Sequence, residues 1–229
     1  MAVRIEAAQK HREAREGAFP RVSDVYDAFY LRLEELSAEG NRFFLGAEAI
    51  IGSAVSYDRE NMQLLGNDGA PLAPITGASA KRLAAHAAEG WNIVALLSTT
   101  YFRAQDKGAV ADLAFLCWKP LNAELDAALL AFSKGIADRL AAGSRAEVKL
   151  TQEQFIQVLK SQGTWYLTPN TKREPAEKGT VVYKARRSGV ERITAYALRH
   201  RFGCNILATL FWIALAAGIA LLVWFFFFS

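Results

Sequence analysis

Histidine and cysteine, which often carry catalysis or bind metals, are few in this chain and lie far apart. The three histidines, His11, His86 and His200, stand in unrelated parts of the sequence, and no pair has the spacing of metal ligands. Neither a His-Glu-x-x-His nor a Cys-x-x-Cys motif occurs, so no zinc site is predicted. Serine-nucleophile motifs and the glycine-rich phosphate and dinucleotide loops are also absent, and no cofactor is expected.

Two short patterns are similar to fragments of known sites. Glu147-Val148-Lys149 matches the Glu-x-Lys of metal-dependent nucleases, where a carboxylate holds magnesium and a lysine orients water. A predicted long helix precedes it and a helix cap follows, which favours a solvated linker. Gly66-Asn67-Asp68-Gly69 lacks the lysine and helix that follow a phosphate loop, so a plain turn is favoured. A protein without catalysis is therefore the preferred interpretation, and an enzyme without a readable motif is the alternative.

The two cysteines, Cys117 and Cys204, are too few for a disulfide framework. Cys117 lies in an apolar run and is predicted to be a buried, reduced thiol. Cys204 adjoins a long apolar segment, where acylation is chemically feasible. Both fit a reducing cytoplasm.

An uncharged apolar run of 23 residues extends from Ile206 to Phe228. As a helix it would be roughly 35 Å long, enough to cross a hydrocarbon core of about 30 Å. A buried helix of a soluble domain rarely exceeds about 18 residues without a polar break. The run therefore predicts a single C-terminal transmembrane helix over residues 205–229. Ala214 and Gly218, four residues apart, predict a helix–helix contact through small side chains.

Positive charge is concentrated directly before this run. Residues 172–201 hold nine basic residues against three acids, a net charge of +6, whereas residues 1–171 carry −2. The positive-inside rule then predicts a single-pass protein of the cell (inner) membrane with its N-terminal body in the cytoplasm. Each basic residue near the surface would add about 1 kcal/mol of attraction to anionic headgroups. The residues expected at the membrane surface are Lys184, Arg186, Arg187, Arg192, Arg199 and Arg201.

Hydrophobic periodicity predicts a helix that begins near Val22, because Val22, Val25, Phe29, Leu33 and Leu36 recur at steps of three and four. Gly40 is predicted to end it. Residues 43–57 fit either a buried strand or a continuing helix. A helix over 80–89 is predicted to be capped by Ser79.

Further along the chain, caps and glycines bound two more predicted helices. One is capped by Asn122 and ends at Gly143, and the other follows the capping box Thr151–Gln154 and ends at Gly163. The predicted strands are 62–65, 70–75, 91–104, 109–118, 164–167 and 180–187, of which 91–104 and 109–118 give the clearest hairpin signal.

These elements predict an α+β protein with one mixed helix and antiparallel-sheet domain in the cytoplasm, followed by the transmembrane helix. The element order over roughly residues 21–142 resembles the profilin-like layout of roadblock and longin domains. That resemblance implies a fold and no function. The expected divisions are an N-terminal arm (1–20), an α+β core (21–143), a helix plus β-hairpin extension (144–189), a basic juxtamembrane helix (190–204) and the anchor (205–229).

The expected function is that of a C-terminally anchored membrane protein presenting a cytoplasmic interaction domain. It would act as a non-catalytic accessory subunit or adaptor of a membrane complex, with the lipid bilayer and a protein partner or second copy as its contacts. A membrane-bound effector or enzyme acting on the bilayer is one alternative. A membrane-tethered winged-helix DNA-binding protein is another, although nucleic acid is the less favoured partner because the basic segment adjoins the bilayer.

Overall fold

The computed structural model of the chain describes residues 19–165 and 179–187. The helices in these residues are α1 (Val22–Val25), α2 (Ala38–Leu45), α3 (Gly77–Ala88), α4 (Ala123–Ala141) and α5 (Gln152–Lys160). The strands are β1 (Tyr26–Leu33), β2 (Ala54–Asp58), β3 (Gln63–Leu65), β4 (Pro71–Pro74), β5 (Asn92–Arg103), β6 (Gly108–Trp118) and β7 (Thr180–Lys184). The fold is thus a mixture of helices and antiparallel sheet.

All seven strands join one antiparallel sheet with the order β1-β6-β5-β2-β3-β4, and β7 also pairs with β5. Because β6 lies along one edge of β5, the other edge is shared by two strands. The first half of β5 pairs with β2 through Ala95 and Leu96, and its last four residues pair with β7. The β5–β6 hairpin is therefore the centre of the sheet.

Helices and loops cover both faces of this hairpin, and all eleven residues of β6 are buried. On one face Tyr26 of β1 meets Phe132 of α4 and Phe155 of α5, with ring centroids 6.4 and 6.3 Å apart. On the opposite face Phe29 stacks on Phe115 at 5.4 Å. Burial of each such ring is worth on the order of 1.5–3 kcal/mol, so these contacts fix the order of the layers.

Local signals predicted several elements correctly. The predicted hairpin is β5–β6, and the predicted turn at 66–69 joins β3 to β4. The Asn122 side chain accepts a hydrogen bond from the backbone N–H of Leu125 at the start of α4. Thr151 and Gln154 form the predicted capping box of α5. Each of these features depends on residues only a few positions apart, so packing against distant segments does not change it.

The predicted helix over Val22 to Leu36 is wrong. Only Val22–Val25 form a helical turn, and Tyr26–Leu33 form β1, paired along its whole length with β6. Both faces of β1 contribute core residues, so its sequence lacks the polar–apolar alternation of a half-buried strand. The element order behind the profilin-like resemblance begins with a long helix, whereas the structure has only the short α1 there, followed directly by β1.

Gly40 lies inside α2 and does not end a helix. A Cβ on Gly40 would come within 2.0 Å of the Leu72 carbonyl oxygen, so the glycine allows α2 to pack closely on β4. Residues 43–45 belong to α2 and residues 54–57 to β2, so both interpretations of 43–57 hold for part of it. Thr76 precedes α3, so Ser79 is inside that helix and is not its cap.

The extension expected after residue 143 packs onto the domain. Helix α5 contacts α4, and β7, part of the predicted strand at 180–187, pairs with β5. Thr164 and Trp165 are not in a strand, and the rest of the segment predicted at 164–167 lies outside the described residues. So do most of the N-terminal arm, the basic helix at 190–204 and the predicted span. Within residues 19–165 and 179–187, no helix is both long and apolar enough to cross a bilayer.

Candidate functional site

Strand β1 carries one polar cluster on each of its faces. Asp27 and Arg32 are five positions apart, and neighbouring side chains on a strand alternate between faces, so the two residues point to opposite sides of the sheet. We call the group around Asp27 the α3 cluster and the group around Arg32 the sheet cluster.

The α3 cluster joins β1 to α3. Arg82 donates two hydrogen bonds to the Asp27 carboxylate, the one from Nε at 2.5 Å, and His86 Nε2 lies 2.7 Å from the same carboxylate. Arg82 and His86 are four residues apart and so share one side of α3. The Arg82 guanidinium lies 4.4 Å from the Phe29 ring centroid, and the His86 ring stacks on Trp91 at 4.2 Å.

The charge state of Asp27 follows from these contacts. Burial raises the pKa of its carboxyl, but the hydrogen bonds from Arg82 and His86 outweigh burial and hold the pKa below its ordinary value. Asp27 is therefore an ionised partner for two side chains of α3. A histidine oriented by a carboxylate is the base of many hydrolytic sites. Such a site also requires a reactive nucleophile beside the histidine.

Cys117 is the nucleophilic side chain nearest to this pair in the sheet register, because it lies directly opposite Asp27 on β6. Its side chain is fully buried. Burial, with a smaller contribution from the Asp27 charge, raises the pKa of the Cys117 thiol to about 12. Reactive cysteines have lowered pKa values, so burial of Cys117 disfavours the reactive thiolate. The burial itself is as its apolar run predicts. The α3 cluster is best understood as a set of hydrogen bonds and ion pairs that attaches α3 to β1.

The sheet cluster is centred on Asp112 of β6, whose side chain is only 4% exposed. Arg32 of β1 donates hydrogen bonds to it from Nε at 2.9 Å and from Nη2 at 3.3 Å. The Tyr101 hydroxyl of β5 donates a third at 2.9 Å. Burial and the adjacent Asp112 charge both raise the pKa of Tyr101, so its phenol stays a donor. Three neighbouring strands are thus cross-linked through one buried carboxylate.

Two tyrosines of β1 hold the segment between α4 and α5. The Tyr26 hydroxyl donates to the Val148 carbonyl at 2.7 Å, and the Tyr30 hydroxyl donates to the Ala146 carbonyl at 2.6 Å. The Arg145 guanidinium lies 4.1 Å from the Tyr30 ring centroid. Burial raises the pKa of Tyr30 to about 12, so this phenol also remains a donor.

These contacts correct the expectation that Glu147-Val148-Lys149 is a solvated linker. Val148 is only 1% exposed, and its carbonyl is tied to β1. Glu147 accepts a hydrogen bond from the backbone N–H of Lys149 at 3.1 Å, a local contact that closes a turn. Among residues 19–165 and 179–187, no group of three His, Cys, Asp or Glu side chains is placed to hold a metal ion.

Three of the six basic residues that the sequence predicts at the membrane surface lie within the described part of the chain. The Lys184 ammonium donates to the carbonyls of Gly46 at 2.7 Å and Ala49 at 3.2 Å. Arg187 Nε donates to the Ile51 carbonyl at 3.1 Å. Arg186 is exposed. The remaining predicted site residues, Arg192, Arg199, Arg201, Ala214 and Gly218, lie outside the described residues.

Two clefts on the described surface hold about 160 and 220 Å³. Small-molecule sites usually hold about 300–1,000 Å³, so neither cleft has the size of a substrate pocket. One lies between α2 and the turn that joins β3 to β4, and the other lies beside the end of β1.

Sequence reasoning missed both polar clusters. The spacing of Arg82 and His86 on one side of a predicted helix was a usable signal for the α3 cluster. The helix predicted from Val22 to Leu36 includes Asp27, however, so the place of Asp27 opposite Cys117 does not follow from the sequence.

No protein-family model, curated protein or solved structure matches the chain.

Proposed function

We propose that this protein is anchored in the membrane by residues 206–228 and presents its α+β domain on the cytoplasmic face. There the domain serves as a non-catalytic accessory subunit or adaptor of a membrane complex. The observation that carries the proposal is the uncharged run of 23 residues, preceded by a segment of net charge +6.

The composition of the run supports insertion. Fourteen of its residues are Leu, Ile, Phe or Val, each of which favours insertion by roughly 0.3–0.6 kcal/mol near the helix centre. Together they favour the membrane by several kcal/mol. The basic residues before the run favour retention of that side in the cytoplasm.

The geometry of the domain supports a binding role over a chemical one. The Asp27 carboxylate is bound by two side chains of α3, and the Asp112 carboxylate by Arg32 and Tyr101. Groups that would be candidates for acid–base chemistry therefore serve to hold strands and helices together. The buried Cys117 thiol, with its raised pKa, likewise suits packing.

Two measurements test the proposal: whether alkaline carbonate extracts the protein from membranes, and on which side of the membrane a protease can reach its body. Full-length protein should stay in the membrane pellet after alkaline carbonate, and protease added to sealed right-side-out cells should leave the body intact. Replacing both Leu215 and Ile219 by Arg should release the chain, because each central arginine costs about 2.5–3.5 kcal/mol. The double change to Phe is the matched control and should stay in the pellet. Release of the unaltered chain, or digestion of its body from outside, would overturn the proposal.

The adaptor role requires a second readout. In mild detergent the full-length protein should elute in a complex of fixed stoichiometry with a membrane partner. Growth arrest on overexpression without such a complex would favour an effector of the bilayer instead. A shift of duplex DNA by the full-length protein would favour the DNA-binding alternative.

A further inference from the structure

Strand β7 exposes three consecutive apolar or aromatic side chains. Val181 is 63% exposed, Val182 41% and Tyr183 51%. Among the described residues β5 is the only strand that pairs with β7, through contacts such as Tyr101 opposite Val182. Large apolar side chains exposed next to one another on a folded domain often mark a surface that binds a partner or a membrane.

Positive charge directly follows these side chains. Lys184, Arg186 and Arg187 come within four residues of Tyr183, and Lys184 and Arg187 bind carbonyls of the loop 46–51. That loop contributes a single acid, Glu48, so the three cations outweigh the acid. An apolar edge with a tyrosine beside exposed arginine has the composition of a surface that meets anionic headgroups.

The position of β7 in the chain also favours contact with a lipid bilayer. Only 18 residues, 188–205, separate Arg187 from the apolar run that begins at Ile206, so β7 is the described strand nearest to the proposed span along the chain. A second copy would suit this edge less well. A five-residue strand pair is small beside the roughly 1,200–2,000 Å² that specific interfaces bury, and both copies would bring the same cations.

We propose that β7 is the edge by which the domain rests on an anionic bilayer. Val181, Val182 and Tyr183 enter the headgroup region, and the exposed Arg186 binds lipid phosphate. This inference rests on the proposed function, since the span brings the domain to the membrane. The contact would fix which face of the domain is turned towards a partner in the cytoplasm.

The experiment places a fluorescent reporter on β7 of the full-length chain. Val181→Cys, in a Cys204→Ser background, is labelled with an environment-sensitive dye, since the fully buried Cys117 remains unlabelled. The protein is incorporated at one copy per nanodisc containing phosphatidylserine. Leu121→Cys is the matched control: Leu121 is 49% exposed and lies just after β6, at the opposite end of the β5–β6 hairpin from β7.

The dye at position 181 should shift to the blue and lose at least half of its emission to a headgroup-depth spin-labelled lipid. The dye at position 121 should do neither. Arg186→Gln, or neutral lipid in place of phosphatidylserine, should reduce the quenching at 181 several-fold.

Other occupants give other results, and each overturns the docking. A blue shift without lipid quenching at one copy per disc means that another segment of the same chain covers β7. A blue shift that needs two copies per disc means pairing with a second copy. A dye that reports water in a disc-bound chain refutes the docking alone, whereas a chain that fails to enter discs refutes the proposed anchor as well.

Discussion

Removing the carboxylate of Asp112 should destabilise the domain strongly, and removing Arg32 with it should cost little more. Asp112 is 4% exposed and accepts hydrogen bonds from Arg32 and Tyr101. Loss of one member of a buried ion pair costs about 3–5 kcal/mol, because the remaining charge stays desolvated. Domains of this size are stable by about 5–15 kcal/mol, so Asp112→Ala alone should remove a large part of the free energy of unfolding.

The double-mutant cycle isolates this interaction. Arg32→Met should also cost about 3–5 kcal/mol, since it strands a buried carboxylate, and the double variant should cost about as much as either single one. The coupling energy should then exceed about 2 kcal/mol. Urea unfolding of the full-length protein in mild detergent, followed by tryptophan fluorescence, gives these values. Additive single effects, with a coupling energy below about 0.5 kcal/mol, would show that the sheet cluster does not hold the strands together.

Two further predictions concern the helices. Because the native pKa of Asp27 lies below its unfolded value of 3.8, its contacts with Arg82 and His86 stabilise the fold above that pH and are lost as the pH falls through the native pKa. The stability gap between the unaltered protein and Asp27→Asn should therefore narrow below about pH 4, and a gap constant from pH 7 to pH 2 would contradict this. Gly163→Ala should cost about 2–5 kcal/mol, because its φ of +81° disfavours alanine and a Cβ would lie 2.1 Å from the α4 backbone. Gly90→Ala, with a φ of +75° in open space, should cost only about 1–2 kcal/mol, and equal losses at both sites would refute the packing argument.

Elements set by neighbouring residues could be read from the sequence. The caps of α4 and α5 depend on side chains that accept a hydrogen bond from the backbone three residues further on. The β5–β6 hairpin depends on two strand-forming runs separated by a short polar turn. The same kind of local information predicted the burial of Cys117, because the apolar run around it becomes the central strand of the sheet.

Sequence-based predictions were wrong for segments whose structural partners lie far away along the chain. The spacing from Val22 to Leu36 fits a helix, yet eight of these residues pair with β6, about 80 to 90 residues away along the chain. Gly40 looked like a helix end and instead makes room for the Leu72 carbonyl. Neither outcome could be inferred from local pattern, since each depends on a surface that forms only when the sheet assembles.

By itself the sequence determined the mixed fold class, the helix caps and the hairpin, and it carries the proposal of a membrane anchor. These follow from local propensity, hydrophobicity and charge, which need no knowledge of distant neighbours. The tertiary structure alone decided that Asp27 meets Arg82 and His86, that Asp112 bonds to Arg32 and Tyr101, and that the apolar side chains of β7 are exposed. Each of these contacts joins segments whose register is fixed by sheet pairing and core packing, and no short window of sequence contains both partners.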